Sequence, residues 1–265
     1  MREENGVFED VVHINIELSN LCNYSHLHKK CPAHTRTDKR ILPASCVHDI
    51  LDTLNKHQYG AGKSIAFYLY SDSMNDPRLF NFLSYAKEKC PKSNIIVGTN
   101  GWYLTDGMAI ELFEAGCTYL LVSSYTDSEH TRLCEVRKNV AKLNQTASFS
   151  IRRVHSLDNR ITMHSDNEGQ CFAPLTEVLV GPDGRTRLCC MDINQEYSYG
   201  NVLEDGFEKV ISDNYEYLLG LQKELIKGIR NLQLCKECKF KGRMCGMYQS
   251  KKDPRPPQDR LERYA

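Results

Sequence analysis

Short segments in which hydrophobic and polar residues alternate recur along the first 155 residues, and segments with helical periodicity separate them. Alternation predicts strands at residues 13–18, 64–70, 94–98, 118–123 and 147–155. Helical spacing predicts helices at residues 42–57, 77–89, 106–115 and 129–143. Strands that alternate with helices favour parallel βαβ units. Five strands are too few for a closed eight-stranded barrel, so the pattern predicts an α/β fold with a partial TIM-like barrel of about five to six parallel strands.

The pattern changes beyond residue 159. Two β-prone segments, 176–180 and 186–189, flank Gly-Pro-Asp-Gly and predict a β-hairpin, and a helical segment follows at 207–229. We therefore expect a partial barrel over residues 1–160, a small α+β lobe over 161–250 and a tail over 251–265.

The charge balance narrows the class of protein. Lys and Arg together number 34, as do Asp and Glu, so the 265-residue chain carries no net charge and has no general attraction for nucleic acid or a membrane surface. No segment approaches the roughly 20 apolar residues that span a bilayer, and the acidic first ten residues lack the apolar core of a signal peptide. We expect a cytoplasmic protein that binds neither nucleic acid nor membrane, of undetermined oligomeric state.

Twelve cysteines are the most informative feature of the composition. In a reducing cytoplasm, clustered cysteines indicate metal or cluster ligands rather than disulfides. Cys235 and Cys238 form a C-x-x-C turn that directs two sulfurs to one centre, and a hairpin with Cys189 and a loop with Cys171 supply two more. Four thiolates suit either tetrahedral zinc or an iron–sulfur cluster.

A second group of candidate ligands follows the first predicted strand. Within thirteen residues the loop contains two cysteines and three histidines, namely Cys22, His26, His28, Cys31 and His34. This density predicts a metal site, and from the loop alone the metal is equally zinc or iron.

The C-terminal cysteines resemble the auxiliary-cluster lobe of radical S-adenosylmethionine (SAM) enzymes, which is called SPASM or, when shortened, twitch. The resemblance rests on Cys171-x-x-Pro174, Gly184-x4-Cys189, Gly200-Asn-Val and Cys235-Lys-Glu-Cys238. The full lobe has more cysteines than this chain, so the resemblance implies one auxiliary cluster. Its implied ligands are Cys171, Cys189, Cys235 and Cys238, with Cys190 as an alternative to Cys189 and Cys245 as a spare.

The loop after the first strand resembles the site at which this family holds its catalytic 4Fe–4S cluster through C-x3-C-x2-C. Cys22-Asn23 matches the first Cys-Asn, and Cys31-Pro-Ala-His34 resembles Cys-Pro-x-Cys with histidine as the last ligand. The first gap has eight residues instead of three, which is tolerable because the entropy of loop closure grows slowly with length. The alternative third ligands are His26, His28 and Cys46.

The same resemblance implies a SAM site at the carboxyl ends of the strands. Asp76, in residues 73–77, stands where the family has the glutamate of Gly-Gly-Glu-Pro, and Thr99-Asn100-Gly101 resembles its T-N-G segment. The implied SAM-binding residues are Asn23, Asp76, Thr99, Asn100, Gly101, Ser123 and Ser124.

Adjacent arginines in the fifth predicted strand are the candidate catalytic residues. Alternation directs Arg152 and Arg153 to opposite faces, so one of them faces the barrel interior. A guanidinium there binds a carboxylate of SAM or of the substrate with two hydrogen bonds. Cys245 is a third candidate, as a hydrogen-atom donor.

The resemblance implies a radical SAM oxidoreductase with two 4Fe–4S clusters. Such an enzyme is expected to generate a 5′-deoxyadenosyl radical, to dehydrogenate or rearrange a small polar substrate, and to receive electrons from a donor such as flavodoxin or ferredoxin. Three alternatives stay open: an epimerase or peptide-modifying enzyme; a relative without SAM cleavage that serves in electron transfer or as a non-catalytic partner; and a zinc-binding adaptor.

Overall fold

The computed structural model describes residues 7–27, 31–35, 38–154 and 171–238. Seven strands in these ranges are β1 (His13–Ile16), β2 (Ser64–Phe67), β3 (Asn94–Thr99), β4 (Tyr119–Ser124), β5 (Ser148–Arg153), β6 (Glu177–Val180) and β7 (Thr186–Arg187). The α-helices are α1 (Val7–Asp10), α2 (Pro32–Thr35), α3 (Ala44–Lys56), α4 (Leu79–Lys89), α5 (Asp106–Glu114), α6 (Asp127–Leu143), α7 (Ala173–Thr176), α8 (Val202–Asp205), α9 (Phe207–Ile226) and α10 (Gln233–Glu237). Short 3-10 turns lie at Ser25–Leu27 and Ser73–Asn75.

All seven strands form one sheet in the order β5-β4-β3-β2-β1-β6-β7. Strands β1 to β6 are parallel, and β7 returns antiparallel to β6. The α/β class with about six parallel strands in an open sheet is thus confirmed. Strand β1 is an interior strand because it pairs with β2 on one side and with β6 on the other.

The two faces of the sheet have different chemistry. Apolar side chains of alternate strand positions pack against the helices in one core, among them Ile14, Ile65, Val97, Val122 and Val178. Because side chains alternate along a strand, the residues between them face the other way, toward the interior of the partial barrel. This inner face carries polar residues such as Asn15, Ser64, Glu177, Ser123 and Arg152.

The predicted C-terminal hairpin is continuous with the barrel sheet. Strand β6 pairs with β1 over four residues, from His13 opposite Glu177 to Ile16 opposite Val180. A second apolar cluster, separate from the main core, surrounds α9 and includes Leu188, Leu218 and Cys235. The predicted division at residue 160 and the predicted tail lie outside the described residues and stay predictions.

No helix in the described parts of the chain combines the length and the apolar character that a bilayer crossing requires.

Gly184 closes the turn between β6 and β7 in a conformation that favours glycine. Its φ is +76°, and its N–H donates to the Gly181 carbonyl at 2.9 Å. A Cβ atom at this position would overlap the side chains of Leu203 and Asn201. Gly62 has a similar φ of +77°, but a Cβ atom there would meet no atom of the described chain within 4 Å.

We expect Gly184→Ala to destabilise the protein more than Gly62→Ala. Both substitutions incur the roughly 1–2 kcal/mol of a left-handed non-glycine residue, and only Gly184→Ala adds overlap, which costs about 1–3 kcal/mol more. Urea unfolding of the metal-free protein measures both values. Equal losses of unfolding free energy would contradict the turn geometry.

His13 is a buried titratable group at the start of β1. Its Nδ1 lies 2.7 Å from Ser64 Oγ, and burial lowers its pKa from 6.5 to about 4. Between these two values the unfolded chain binds a proton that the folded protein does not, so stability falls as the pH falls through this window. The full loss is roughly 3 kcal/mol.

The variant His13→Asn should therefore have a flatter dependence of unfolding free energy on pH between about 6.5 and 4. Burial raises the pKa of Glu177, which faces His13 from β6 and contributes a slope of the opposite sign. That contribution is common to both proteins, so the difference between them isolates His13. Parallel stability curves for the two proteins would show that His13 is not buried in the neutral form.

Candidate active site

The candidate site lies at the edge of the sheet where the parallel strands end. Parallel strands direct their carboxyl ends to one edge, so the loops that follow β1, β2, β3 and β4 meet there. Cys22, Cys31 and most of the T-N-G segment lie in these loops, and the predicted SAM-binding serines are the last two residues of β4.

The cysteine loop after β1 brings its candidate ligands into a compact turn. Cys31 is buried and its Sγ contacts the Tyr70 carbonyl at 3.5 Å, whereas Cys22 is partly buried. The exposed His34 reaches back so that its Nδ1 lies 2.9 Å from the Ser25 carbonyl. A carbonyl oxygen can only accept, so Nδ1 carries the proton and Nε2 keeps a lone pair for a metal.

The alternative third ligands lie in different environments. His26 is exposed in the 3-10 turn, and His28 lies outside the described residues. Cys46 packs in the apolar core of α3, where burial raises its pKa to about 12. In this structure Cys46 is therefore a core residue of α3 rather than a member of the β1 loop.

Asp72 connects the loops that follow β2 and β3, and it was not identified from the sequence. Its buried carboxylate accepts hydrogen bonds from the Met74 N–H at 3.0 Å and the Asn100 N–H at 2.7 Å. It also accepts from the Thr99 hydroxyl, with both oxygens within 3.1 Å. One carboxylate therefore fixes the T-N-G segment against the turn at 73–75.

Asn23 ties the cysteine loop to the same network. Its Oδ1 accepts from Asn100 Nδ2 at 2.7 Å and from Asn75 Nδ2 at 3.5 Å. Gly101 completes the T-N-G segment with a φ of +74°, and any Cβ would meet Val122 at 2.7 Å. Asn23, Thr99 and Asn100, three of the predicted SAM-binding residues, thus hold the loops of β1, β2 and β3 together.

Asp76, the predicted counterpart of the family glutamate, is engaged elsewhere. Its buried carboxylate forms an ion pair with Arg78 at 2.6 Å and accepts from the Arg78 N–H at 3.0 Å. The structure therefore gives Asp76 a role at the start of α4. Its role toward SAM stays a prediction.

Aromatic side chains cover one side of the cysteine loop. Tyr24 packs edge-on against Trp102 and Tyr125, at centroid distances of 5.6 and 5.4 Å. Its hydroxyl donates to Glu129, which also accepts from the Tyr125 N–H at 3.0 Å. The loop is therefore anchored to the start of α6.

The serines and arginines at the ends of β4 and β5 lie on opposite faces of the sheet. Ser124 points to the helices, where its Oγ lies 3.0 Å from His130 Nδ1, and Arg153 beside it forms an ion pair with Asp127 at 3.4 Å. Ser123 pairs in register with Arg152, so both lie on the inner face. Arg152 is exposed, and its guanidinium makes no ion pair with any residue in the described ranges.

Four C-terminal cysteines converge beside the second apolar cluster. Burial chiefly raises the pKa of Cys171, to about 11, and the thiols of Cys235 and Cys238 add to the rise. The pKa of Cys189 is raised by burial and, to a smaller extent, by Cys171 and Cys235. Sulfurs from four chain positions up to 67 residues apart therefore share one region of the molecule.

Two buried polar side chains hold the segments that carry these cysteines. Gln222 of α9 donates to the Cys171 carbonyl and accepts from the Leu175 N–H at 3.4 Å. Asp192 accepts from the Glu196 N–H at 2.9 Å and from the Leu188 N–H at 3.4 Å, which closes the turn that follows Cys189. Neither residue was identified from the sequence, since glutamine in a helix and aspartate in a turn are common.

Cys189 rather than Cys190 has the free thiol. Cys190 is disulfide-bonded, whereas Cys189 is free. Burial raises the pKa of the Cys189 thiol, and the nearby backbone N–H groups of Met191 and Asp192 offset part of that rise. Cys245 lies outside the described residues.

No three His, Cys, Asp or Glu side chains within residues 7–27, 31–35, 38–154 and 171–238 are close enough to enclose a single metal ion. The donor sets do fit iron–sulfur chemistry, because four converging thiols at the C-terminal site and two thiols with a nearby imidazole in the β1 loop are ligands of such clusters.

Comparison with known proteins agrees with this architecture. Residues 171–239 match the SPASM model, an iron–sulfur cluster-binding domain. An S-adenosyl-L-methionine-dependent 2-deoxy-scyllo-inosamine dehydrogenase from Niallia circulans is 24% identical over 233 residues, which cover 85% of this chain and 91% of that protein.

Two solved structures share the fold. The crystal structure of BtrN in complex with AdoMet and 2-DOIA superposes with a TM-score of 0.72 at 21% identity, covering 87% of this chain and 93% of BtrN. Native anSMEcpe with bound AdoMet gives a TM-score of 0.53 at 13% identity, covering 86% of each chain. The resemblance to radical SAM enzymes with a SPASM-type lobe is thereby confirmed.

Proposed function

We propose that this chain is a radical SAM dehydrogenase that oxidises a small polar substrate and uses two 4Fe–4S clusters. The observation that carries the proposal is the presence of two separate cysteine groups on one parallel sheet, the C-terminal group lying in a matched SPASM domain. The relative that covers 85% of the chain is a dehydrogenase of 2-deoxy-scyllo-inosamine, and an aminocyclitol is our first substrate candidate.

When bound, SAM and a cluster in the β1 loop would supply a 5′-deoxyadenosyl radical that removes a hydrogen atom from the substrate. We assign the cluster to Cys22, Cys31 and the imidazole of His34. Oxidation of an alcohol carbon then requires loss of the hydroxyl proton and of one further electron, which the auxiliary cluster of Cys171, Cys189, Cys235 and Cys238 would accept.

The residues of the chain hold and orient the reactants. Asp72 and Asn23 fix the loops around the cysteine site, and Ser123 and Arg152 lie on the inner face at the carboxyl ends of β4 and β5. A planar guanidinium fits a carboxylate or two neighbouring oxygen atoms of a polar substrate. A reduced flavodoxin or ferredoxin is our proposed electron donor.

The first test is the number and location of the clusters. Anaerobically reconstituted protein should contain about eight irons and form 5′-deoxyadenosine when dithionite and SAM are added. The double variant Cys235→Ala/Cys238→Ala should lose about half the iron and keep this activity, whereas Cys22→Ala/Cys31→Ala should lose the other half and all activity.

Cys117→Ala is the matched control, because Cys117 is a buried core cysteine whose pKa burial raises to about 12. It should retain all the iron. Full iron content without 5′-deoxyadenosine under any condition would instead identify a relative that has lost SAM cleavage. Zinc without iron or sulfide would identify a zinc-binding adaptor.

The third ligand in the β1 loop can be tested in the Cys235→Ala/Cys238→Ala background, which leaves only that cluster. We expect His34→Ala to abolish the cluster signal in electron paramagnetic resonance and His26→Ala to preserve it, because of these two described histidines His34 is the one with its Nδ1 fixed by a carbonyl. His34→Cys should restore the cluster with a lower reduction potential, since imidazole ligands raise it. The reverse pattern would assign the ligand to His26.

Arg152 and Arg153 form a natural pair for the substrate site. Arg152→Met should weaken binding of SAM or of 2-deoxy-scyllo-inosamine roughly 10–100-fold, the effect of losing charge-assisted hydrogen bonds of about 1.5–3 kcal/mol. Arg153→Met should change neither, because its side chain lies on the opposite face of β5 and pairs with Asp127. Equilibrium dialysis gives the SAM Kd, and initial rates give the substrate KM. Identical constants for the two variants would remove Arg152 from the site.

A further inference from the structure

A buried cation lies between the two cysteine groups. Arg187, at the end of β7 and two residues before Cys189, has no solvent exposure. Its Nη1 donates to the carbonyls of Asp192 at 3.1 Å and Ile193 at 3.0 Å, within the turn that follows Cys189. Its guanidinium therefore holds that turn from the inside.

The same guanidinium faces the barrel. Its Nη2 lies 3.7 Å from Oε2 of Glu17, the residue that follows β1 and leads into the cysteine loop. Its central carbon lies 5.1 Å from the centroid of the Tyr70 ring. Glu17 is as deeply buried as Arg187, so two opposite charges meet away from solvent, where their attraction is strong.

Glu17 and Tyr70 extend this contact to the first cysteine group. Glu17 Oε1 accepts from the N–H groups of Tyr70 at 3.1 Å and Ser71 at 3.0 Å. The Tyr70 carbonyl contacts Cys31 Sγ at 3.5 Å, and its hydroxyl donates to the Cys190 carbonyl at 2.5 Å. The three residues Glu17, Tyr70 and Arg187, here called the Arg187 bridge, thus touch both groups.

A fully buried ion pair is a costly way to join two segments, since apolar residues of similar size stabilise as well or better. What the charged pair adds is a defined orientation, because the planar guanidinium donates to the two carbonyls while it faces the Glu17 carboxylate and the Tyr70 ring. The bridge therefore defines where the Cys189 turn lies relative to the β1 loop.

We propose that Arg187 is a positioning residue that fixes the auxiliary-cluster turn against the SAM-cluster loop through Glu17 and Tyr70. The proposal rests on the two-cluster function proposed above. It adds that Arg187 sets the position and the reduction potential of the auxiliary cluster. The positive charge of Arg187 near Cys189 also favours the reduced, more negative state of that cluster.

The test compares Arg187→Met with Arg185→Met. Arg185 lies on the same hairpin and donates to the Gln195 carbonyl at 2.9 Å, but its side chain is exposed and turned toward that carbonyl rather than toward the Arg187 bridge. In the Cys22→Ala/Cys31→Ala background, the remaining auxiliary cluster of Arg187→Met should keep its iron and shift its midpoint potential to a more negative value. Arg185→Met should leave the potential unchanged.

In the holoenzyme with 2-deoxy-scyllo-inosamine, Arg187→Met should form 5′-deoxyadenosine within about twofold of the wild-type rate. Its yield of oxidised product per 5′-deoxyadenosine should fall at least tenfold. Arg187→Lys, which keeps the charge but loses the planar contacts, should restore the potential more than the product yield.

Unchanged potential and yield in Arg187→Met would overturn the proposal. If that variant fails to fold, Glu17→Gln/Arg187→Met removes both buried charges and permits the same measurements. A wild-type protein that forms no 5′-deoxyadenosine contradicts the dehydrogenase function, whereas the potential of the isolated auxiliary cluster still decides the role of Arg187.

Discussion

The pairing of β6 with β1 is the constraint on which the rest of the molecule depends. Four residues of each strand pair in parallel, so the chain returns after residue 170 to the open side of β1 and extends the barrel sheet there. Strand β1 leads into the Cys22 loop and β6 leads through β7 to Cys189. Backbone hydrogen bonds between these two strands therefore bring sequence-distant cysteines to neighbouring positions, before any metal contributes.

Buried polar side chains then refine that placement. Asp72 joins the loops of β2 and β3, Asn23 joins the β1 loop to them, and the Arg187 bridge joins all of these to the auxiliary turn. Each of these groups costs free energy to bury unless its hydrogen bonds are made. The concentration of such groups at one edge of the sheet is typical of a functional site, because loops there must hold reactive groups in fixed positions.

The sequence predicted the elements better than it predicted the contacts. Alternation and helical spacing identified β1 to β5 and α3 to α6 because each of these elements contributes an apolar face to a single core. The hairpin of β6 and β7 was also predicted, but its pairing with β1 depends on distant residues that no local pattern specifies. Alternation placed Arg152 and Arg153 on opposite faces, and only the register with Ser123 and Ser124 identifies which is inward.

The candidate site shows the same limit at the level of single residues. The cysteines were recognisable because their spacing has few structural explanations. Asp72 and Asp76 lie four residues apart in one loop, and only the folded chain reveals that Asp76 pairs with Arg78 while Asp72 holds Asn100. The sequence around Arg187 does not distinguish it from an ordinary strand residue. Its burial and its contact with Glu17 result from packing between segments 170 residues apart.

Mössbauer spectroscopy of the wild-type protein reconstituted with 57Fe addresses the two-centre architecture most directly. Two four-iron centres are expected, and addition of SAM should alter the spectrum of about one iron in eight, the site that the protein leaves without a ligand. A spectrum from a single centre, or one that SAM leaves entirely unchanged, would contradict the assignment of the two cysteine groups.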